Sequence, residues 1–267
     1  AYVREVMRAY KDGLSDYGKF AVAYASKALS CLALYQIVNE EGLWTDVVSG
    51  GELYATQQAG VDPKHIIMHG NNKTPKEMKE GVSIGVGHIV VDGIDEIDRL
   101  DKIAGELGKK ATVLIRVNPL VEAHTHAAVQ TARPDSKFGV IIGEEAKNAI
   151  KRIVSKENLI FDGLHCHIGS QIFDYSAFEL AVDAMIGFIA DLNKENIKVN
   201  TLNMGGGYGI YYSGDDPLFT PSRYAHTVRN LALLVEKSTK KFGIEKPFLI
   251  IEPGRSIVGE AGITLYT

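Results

Sequence analysis

Short apolar runs alternate with longer amphipathic stretches along the chain. Residues 1–13 are polar with apolar positions at Val3, Val6, Met7 and Tyr10 and end at a glycine, the spacing of an amphipathic helix. Residues 20–25 form an apolar run that predicts a buried strand, continued at once by a helix over about 28–39. The same pattern predicts further strands at 45–48, 65–68, 89–91, 111–117, 159–165, 199–204 and 248–251. Helices are predicted from the glycines after the second strand to Ala59, from a Thr74–Glu77 capping box onward, and up to Leu107. Others are predicted over 144–155, over 176–196, and from Pro221 to Phe242.

The predicted strands are mostly continuous apolar runs, as a parallel sheet covered by helices requires. Eight such strand–helix units predict an α/β fold of the (β/α)8 TIM-like barrel type. A doubly wound open sheet is the alternative, disfavoured because no G-x-G-x-x-G turn follows the first strand. One stretch, 120–143, breaks the alternation and contains His124, His126, Arg133, Lys137 and Gly139. A loop of that length in a compact domain is usually functional or mobile.

The 267 residues, 45% hydrophobic and 23% charged, suit a soluble globular chain. A net charge of -4 and the absence of a long basic run argue against nucleic-acid binding. No apolar run is long enough for a membrane span, and no signal peptide is recognisable. Cys31 and Cys166 are far apart and each in an apolar context, which points to reduced thiols and a cytoplasmic location.

In a barrel of this type the active site lies at the C-terminal ends of the strands. The polar residues found at those ends are Lys27, Ser49, His69, Asn71, Asp92, Asn118, His167, Ser170, Gly205, Gly206, Gly207, Glu252 and Arg255. Lys27 directly follows the first strand. There its ammonium projects into the space above the sheet, and loss of a proton makes it a nucleophile toward carbonyls. A solvent-facing lysine is the plain alternative. The triple glycine after the seventh strand and Gly254–Arg255 after the eighth offer backbone N–H groups to a phosphate, with Ser170 as a hydroxyl donor. Glu252 ends an apolar run, so burial raises its pKa unless a partner offsets it. Arg255 is one such partner, and a protonated ring nitrogen of a ligand is another. His167 offers a flat face or a proton donor. His165, Cys166 and His167 look superficially like metal ligands, but no carboxylate lies close in sequence, and no metal site is predicted. A lysine, a phosphate cradle, a carboxylate and a flat imidazole point to pyridoxal 5'-phosphate.

A series of motifs sharpens this: YASKA (24–28), DVVSGGEL (46–53), HGNNKT (69–74), RVNP (116–119), AHTH (123–126), SKFG (136–139), HCHIGSQ (165–171), NMGGGYG (203–209) and EPGRSIV (252–258). Together, and in this order, they resemble the diaminopimelate decarboxylase family, within the alanine-racemase-like, fold-type III class of pyridoxal-phosphate enzymes. That class also holds ornithine and arginine decarboxylases; HIGSQ with GNNKT favours the diaminopimelate member. The resemblance implies that Lys27 anchors the cofactor covalently, His167 stacks on its ring and Glu252 bonds the ring nitrogen. It implies that Ser170, Gly206, Gly207 and Arg255 hold the phosphate, with Gly205 and Gly254 in the same loops. Asp46 is then close to Lys27, and Arg255 also reaches a substrate carboxylate. The implied reaction removes the carboxylate at the D-configured carbon of meso-2,6-diaminopimelate, giving L-lysine and carbon dioxide.

Members of the family carry a second, β-rich domain and are expected to act as homodimers. Here residues 1–262 are expected to form the cofactor-binding barrel, with 263–267 the start of that further domain. The rest of the second domain is then missing, and the chain should bind pyridoxal phosphate with little turnover. The competing expectations are a non-catalytic single-domain pyridoxal-phosphate barrel, a related ornithine- or arginine-type decarboxylase, and an aldolase-like barrel using Lys27 on a sugar phosphate.

Overall fold

A computed structural model of the chain describes residues 1–121, 138–212, 214 and 216–263. The strands in chain order are β1 (Phe20–Ala25), β2 (Trp44–Val47), β3 (Ile66–Met68), β4 (His88–Val91), β5 (Ala111–Asn118), the two-residue β6 (Val140–Ile141), β7 (Leu159–His165), β8 (Thr201–Asn203) and β9 (Phe248–Ile251). All pair in parallel. Without β6, which adds to the end of β5, they form a ring that the β4–β5 and β1–β9 ladders close. Among the described residues this is the expected eight-stranded barrel.

Side-chain alternation along each strand sorts two cores. Ala21, Ala23, Ile67, Val90, Leu114 and Ile250 fill the barrel, against Trp44 and Phe248, whose rings stack 5.7 Å apart. The intervening positions, such as Val22, Tyr24, Met68, Val91 and Ile115, pack under the helices. Counting on by two from Trp44, Ile67, Leu114 and Ile250 gives Asp46, His69, Arg116 and Glu252. The barrel interior therefore turns from apolar to polar at the C-terminal rim. At the other end, the β5–β7 register skips Asp162. This bulged residue accepts hydrogen bonds from Thr201 and Asn200 and lies 3.0 Å from His88 Nε2.

The helices are α1 (Tyr2–Leu14), α2 (Leu32–Glu40), α3 (Gly50–Gln58), α4 (Pro75–Ile84), α5 (Ile94–Glu106), α6 (Glu144–Val154), α7 (Ser176–Lys194), α8 (Pro221–Phe242) and the single turn α9 (Arg255–Val258). The predicted capping box starts α4: Thr74 and Glu77 satisfy each other's backbone N–H. Pro221 and an N-capping Thr220 start α8, and a left-handed Gly243 ends it.

The stretch after β1 departs from expectation. Ser26–Ala28 is a 3₁₀ turn, Leu29 is extended, and α2 begins only at Leu32. Two hydrogen bonds hold this shape: Ser26 Oγ donates to Glu52, and Tyr24 Oη donates to the Leu29 carbonyl. Cys31, expected within a helix, is instead the exposed N-cap residue of α2. Cys166 is buried, and both thiols are free. His124, His126, Arg133 and Lys137 lie outside the described residues, as does most of the strand expected at 263–267. Among the described residues no helix is long and apolar enough to cross a membrane.

Candidate active site

A cavity of about 760 Å³ opens at the C-terminal rim of the barrel. Glu252, directly after β9, lines it and is buried. Its Oε1 accepts from His69 Nε2 at 2.7 Å and Asn203 Nδ2 at 2.6 Å; its Oε2 accepts from His165 Nε2 at 3.2 Å. An ionised carboxylate only accepts, so both imidazoles carry their proton on Nε2. Asp46 Oδ1 lies 3.9 Å from the same His69 nitrogen. The His69 and His165 rings meet edge-on with centroids 4.7 Å apart.

Burial opposes charge on each of these groups, and the neighbours decide the outcome. Desolvation pushes the Glu252 carboxyl up, but the charges of His69 and His165 and the hydrogen bonds from both hold it well below the usual range. Desolvation pushes His69 down, and the Glu252 and Asp46 carboxylates more than reverse this. Asp46 is lifted to about 6 by burial, partly offset by His69. Burial takes His165 down to about 4. Burial, and then the charge of Lys27, hold His167 well below its ordinary value. Near neutral pH the rim thus holds an ionised Glu252 and neutral His165 and His167, with the charged form of His69 favoured relative to a free imidazole. Burial pushes the Cys166 thiol up to about 12, which leaves it unreactive.

Lys27 stands at the cavity mouth, exposed on the turn that Ser26 and Glu52 fix, with no hydrogen-bond or ion-pair partner among the described residues. The loop carrying His69 and Asn71 is held from behind by buried Lys73, which donates to the carbonyls of Gly70 and Val90 and pairs with Glu96 at 2.7 Å. The loops after β7, β8 and β9 interlock through the backbone. Glu252 N–H bonds the Gly205 carbonyl, Gly205 N–H bonds Asn203 Oδ1, and Ile172 N–H bonds the Gly207 carbonyl. A Cβ on Gly206 would sit 2.1 Å from the Glu252 carbonyl oxygen, so only glycine fits there. Gly206 N–H also points to His167 Nδ1 at 3.4 Å, which leaves the His167 proton on Nε2.

Of the residues expected to form the site, Lys27, Asp46, His167, Ser170, Gly206, Gly207, Glu252, Gly254 and Arg255 line this one cavity. Gly205 is buried behind it and shapes the loop. His69 and Asn71 line it too. Ser49 instead caps α3, Asp92 faces Arg116 and the Gly139 N–H, and Asn118 bonds the Leu120 N–H. Of the two partners considered for Glu252, Arg255 is not the one found among the described residues. Its guanidinium donates to Tyr212 Oη and lies over that ring, while Glu252 is partnered by two histidines and an asparagine. The sequence reading missed Asn203 and Arg116 as site residues, though counting by two along their strands finds both. Arg116 lines the cavity with its guanidinium over Phe138.

The cavity has the marks of a ligand site. Two of its lining side chains, Asp46 and Tyr208, each carry a buried oxygen, Oδ1 and Oη, without a hydrogen-bond partner among the described residues. The donor set fits pyridoxal phosphate: an amine for its aldehyde, a buried anion for its ring nitrogen, and glycine N–H groups, a serine and an arginine for its phosphate. His69, His165 and Glu252 also bring three ligand-type atoms within 4.8 Å of one another. The carboxylate missing from the sequence around His165 is supplied in space by Glu252. In the fold both imidazoles donate to the Glu252 carboxylate.

Comparison with known proteins agrees. The sequence pattern of the family described as "Pyridoxal-dependent decarboxylase, pyridoxal binding domain" matches residues 3–259. The diaminopimelate decarboxylase of Staphylococcus aureus (strain COL) is 42% identical over 99% of this chain and 61% of that protein. That of Bacillus subtilis (strain 168) is 41% identical over 100% of this chain and 61% of its own length. The crystal structure of diaminopimelate decarboxylase from M. jannaschii with L-lysine matches with a TM-score of 0.85 at 34% identity, covering 96% of this chain and 59% of that one. The chain therefore spans about three-fifths of the length of these relatives. With its eight-stranded barrel and the lysine and carboxylate at its rim, the chain belongs to the pyridoxal-dependent decarboxylase family and corresponds to its pyridoxal-binding domain.

Proposed function

We propose that this chain is the cofactor-binding barrel of a diaminopimelate decarboxylase, converting meso-2,6-diaminopimelate to L-lysine and carbon dioxide. The observation that carries this reading is the placement of Lys27 and an ionised, buried Glu252 on one cavity. The relatives with that name, matched along the whole chain, support the substrate.

Pyridoxal phosphate, when bound, supplies a conjugated ring that takes up the electron pair left when carbon dioxide departs. The chain's residues set the conditions. Lys27 is the covalent anchor, at the mouth where a substrate amine arrives. Glu252 stays ionised and holds a proton on the ring nitrogen. His167, kept neutral by burial, would face the ring without repelling its positive charge. Ser170, Gly206, Gly207 and Arg255 hold the phosphate, and Arg255 also meets a substrate carboxylate. Asp46 sits beside the anchor. Residues 1–262 make up this barrel, and the protein works as a cytoplasmic homodimer.

The test incubates the protein, in its longest natural form, with pyridoxal phosphate and meso-2,6-diaminopimelate. Lysine and carbon dioxide should form in equal amounts, with ornithine and arginine far poorer substrates. Failure to release lysine, with ornithine or arginine consumed instead, contradicts the proposed substrate.

A further inference from the structure

We propose that His69 is a positioning residue for the cofactor's ring nitrogen, acting through Glu252: with Asn203 it occupies Oε1 and leaves Oε2 as the oxygen presented to the ring. This rests on the pyridoxal-phosphate reading of the cavity and adds to it the residues that aim the carboxylate.

The inference follows from the hydrogen-bond capacity of Glu252. A carboxylate oxygen accepts about two hydrogen bonds. Oε1 already has two donors, His69 at 2.7 Å and Asn203 at 2.6 Å. Oε2 has one, His165 at 3.2 Å, and keeps one acceptor direction. Both donors to Oε1 are themselves held. The backbone N–H of His69 bonds the Val47 carbonyl at 2.8 Å, and its ring Nε2 lies 3.9 Å from Asp46 Oδ1. Asn203 Oδ1 accepts from Gly205 N–H at 2.9 Å. The carboxylate is thus gripped from the ends of β3 and β8 at once, and turning it breaks its two shortest bonds. Asp46, Glu252 and His165 face His69 closely, and the charge of Arg116 reaches it as well. None of these except Glu252 meets the ring nitrogen in this scheme, so His69 acts at one remove.

The test compares pyridoxal phosphate with the analogue in which C–H replaces the ring nitrogen. Dissociation constants are measured by absorbance titration of the chain, without turnover. In the wild type the natural cofactor should bind about tenfold or more tightly than the analogue, as a charge-assisted bond implies. His69→Leu should bring that ratio close to one, and His69→Gln, which keeps a donor to Oε1, should restore most of it. If both affinities fall in parallel in His69→Leu and the ratio stays, His69 is merely structural and the proposal is overturned. A glutamine variant that loses the ratio as fully as the leucine variant overturns it as well. Should His69→Leu not fold by circular dichroism, Asn203→Ala removes the other donor to the same oxygen, and an unchanged ratio there also overturns the proposal. A wild type that binds neither compound, or binds them equally, instead contradicts the pyridoxal-phosphate reading itself.

Discussion

Glu252 is buried and ionised beneath a cavity whose mouth holds Lys27, and its three side-chain partners all donate to it. Replacing it with glutamine turns one acceptor oxygen into a donor amide that faces other donors. Glu252→Gln should therefore lower stability by about 1–3 kcal/mol, read from urea unfolding, and weaken pyridoxal phosphate binding. Unchanged stability and affinity would remove Glu252 from its assigned place. Lys27 and Glu252 were legible because each closes an apolar run, and a polar residue there needs a reason. The partners of Glu252 were not. Arg255, three residues on, was the nearest cation in sequence, whereas His69 is 183 positions away and Asn203 is 49. Sequence neighbours say little about which strand ends meet across a barrel. Asn203 and Arg116 were readable only through the two-residue period, which places them on the inner face next to apolar positions that were easy to see.

At the scale of elements, eight strands were legible because each is an apolar run set between helix-period stretches. β1, β7 and β9 keep their expected ends, the others shift by a residue or more, and β8 keeps only Thr201–Asn203 of the run expected at 199–204. The turn after β1 was not legible, because the hydrogen bond that shapes it reaches from Ser26 to Glu52 in α3. The loops after β7, β8 and β9 depend on close backbone approach. Gly206→Ala would place a Cβ 2.1 Å from the Glu252 carbonyl oxygen. The β8 and β9 loops must then separate, with an expected loss of about 1–3 kcal/mol and weaker cofactor binding, because Glu252 moves with its backbone. Denaturant unfolding and cofactor titration of the variant check both parts. A variant as stable and as tightly binding as the parent contradicts this packing.

Across the whole molecule, the closed ring lets distant residues share one buried polar layer, and that layer makes stability depend on pH. His165 has a folded pKa of about 4 against an ordinary 6.5. Between those values the unfolded chain takes up a proton that the folded chain refuses, so stability falls as pH falls through that window. His167 acts in the same direction. Asp46 acts oppositely: its folded pKa of about 6 exceeds the ordinary 3.8, so acid relieves a cost there. His69, raised above its ordinary 6.5, contributes stability that is fully present below that value and so adds no slope within the window. Two groups outweigh one, and the thermal midpoint of the cofactor-free chain should drop across this window. His165→Asn should flatten that drop, and an equal slope in the variant would contradict the burial of a neutral His165.

The central claim is that the rim of this barrel holds pyridoxal phosphate on Lys27. It is tested most directly by incubating the chain with pyridoxal phosphate, reducing with borohydride, and locating the fixed pyridoxyl group by peptide mass spectrometry. The account predicts one label per chain, on Lys27, and none fixed by Lys27→Ala. A label scattered over other lysines, with the alanine variant taking up as much as the parent, would contradict it.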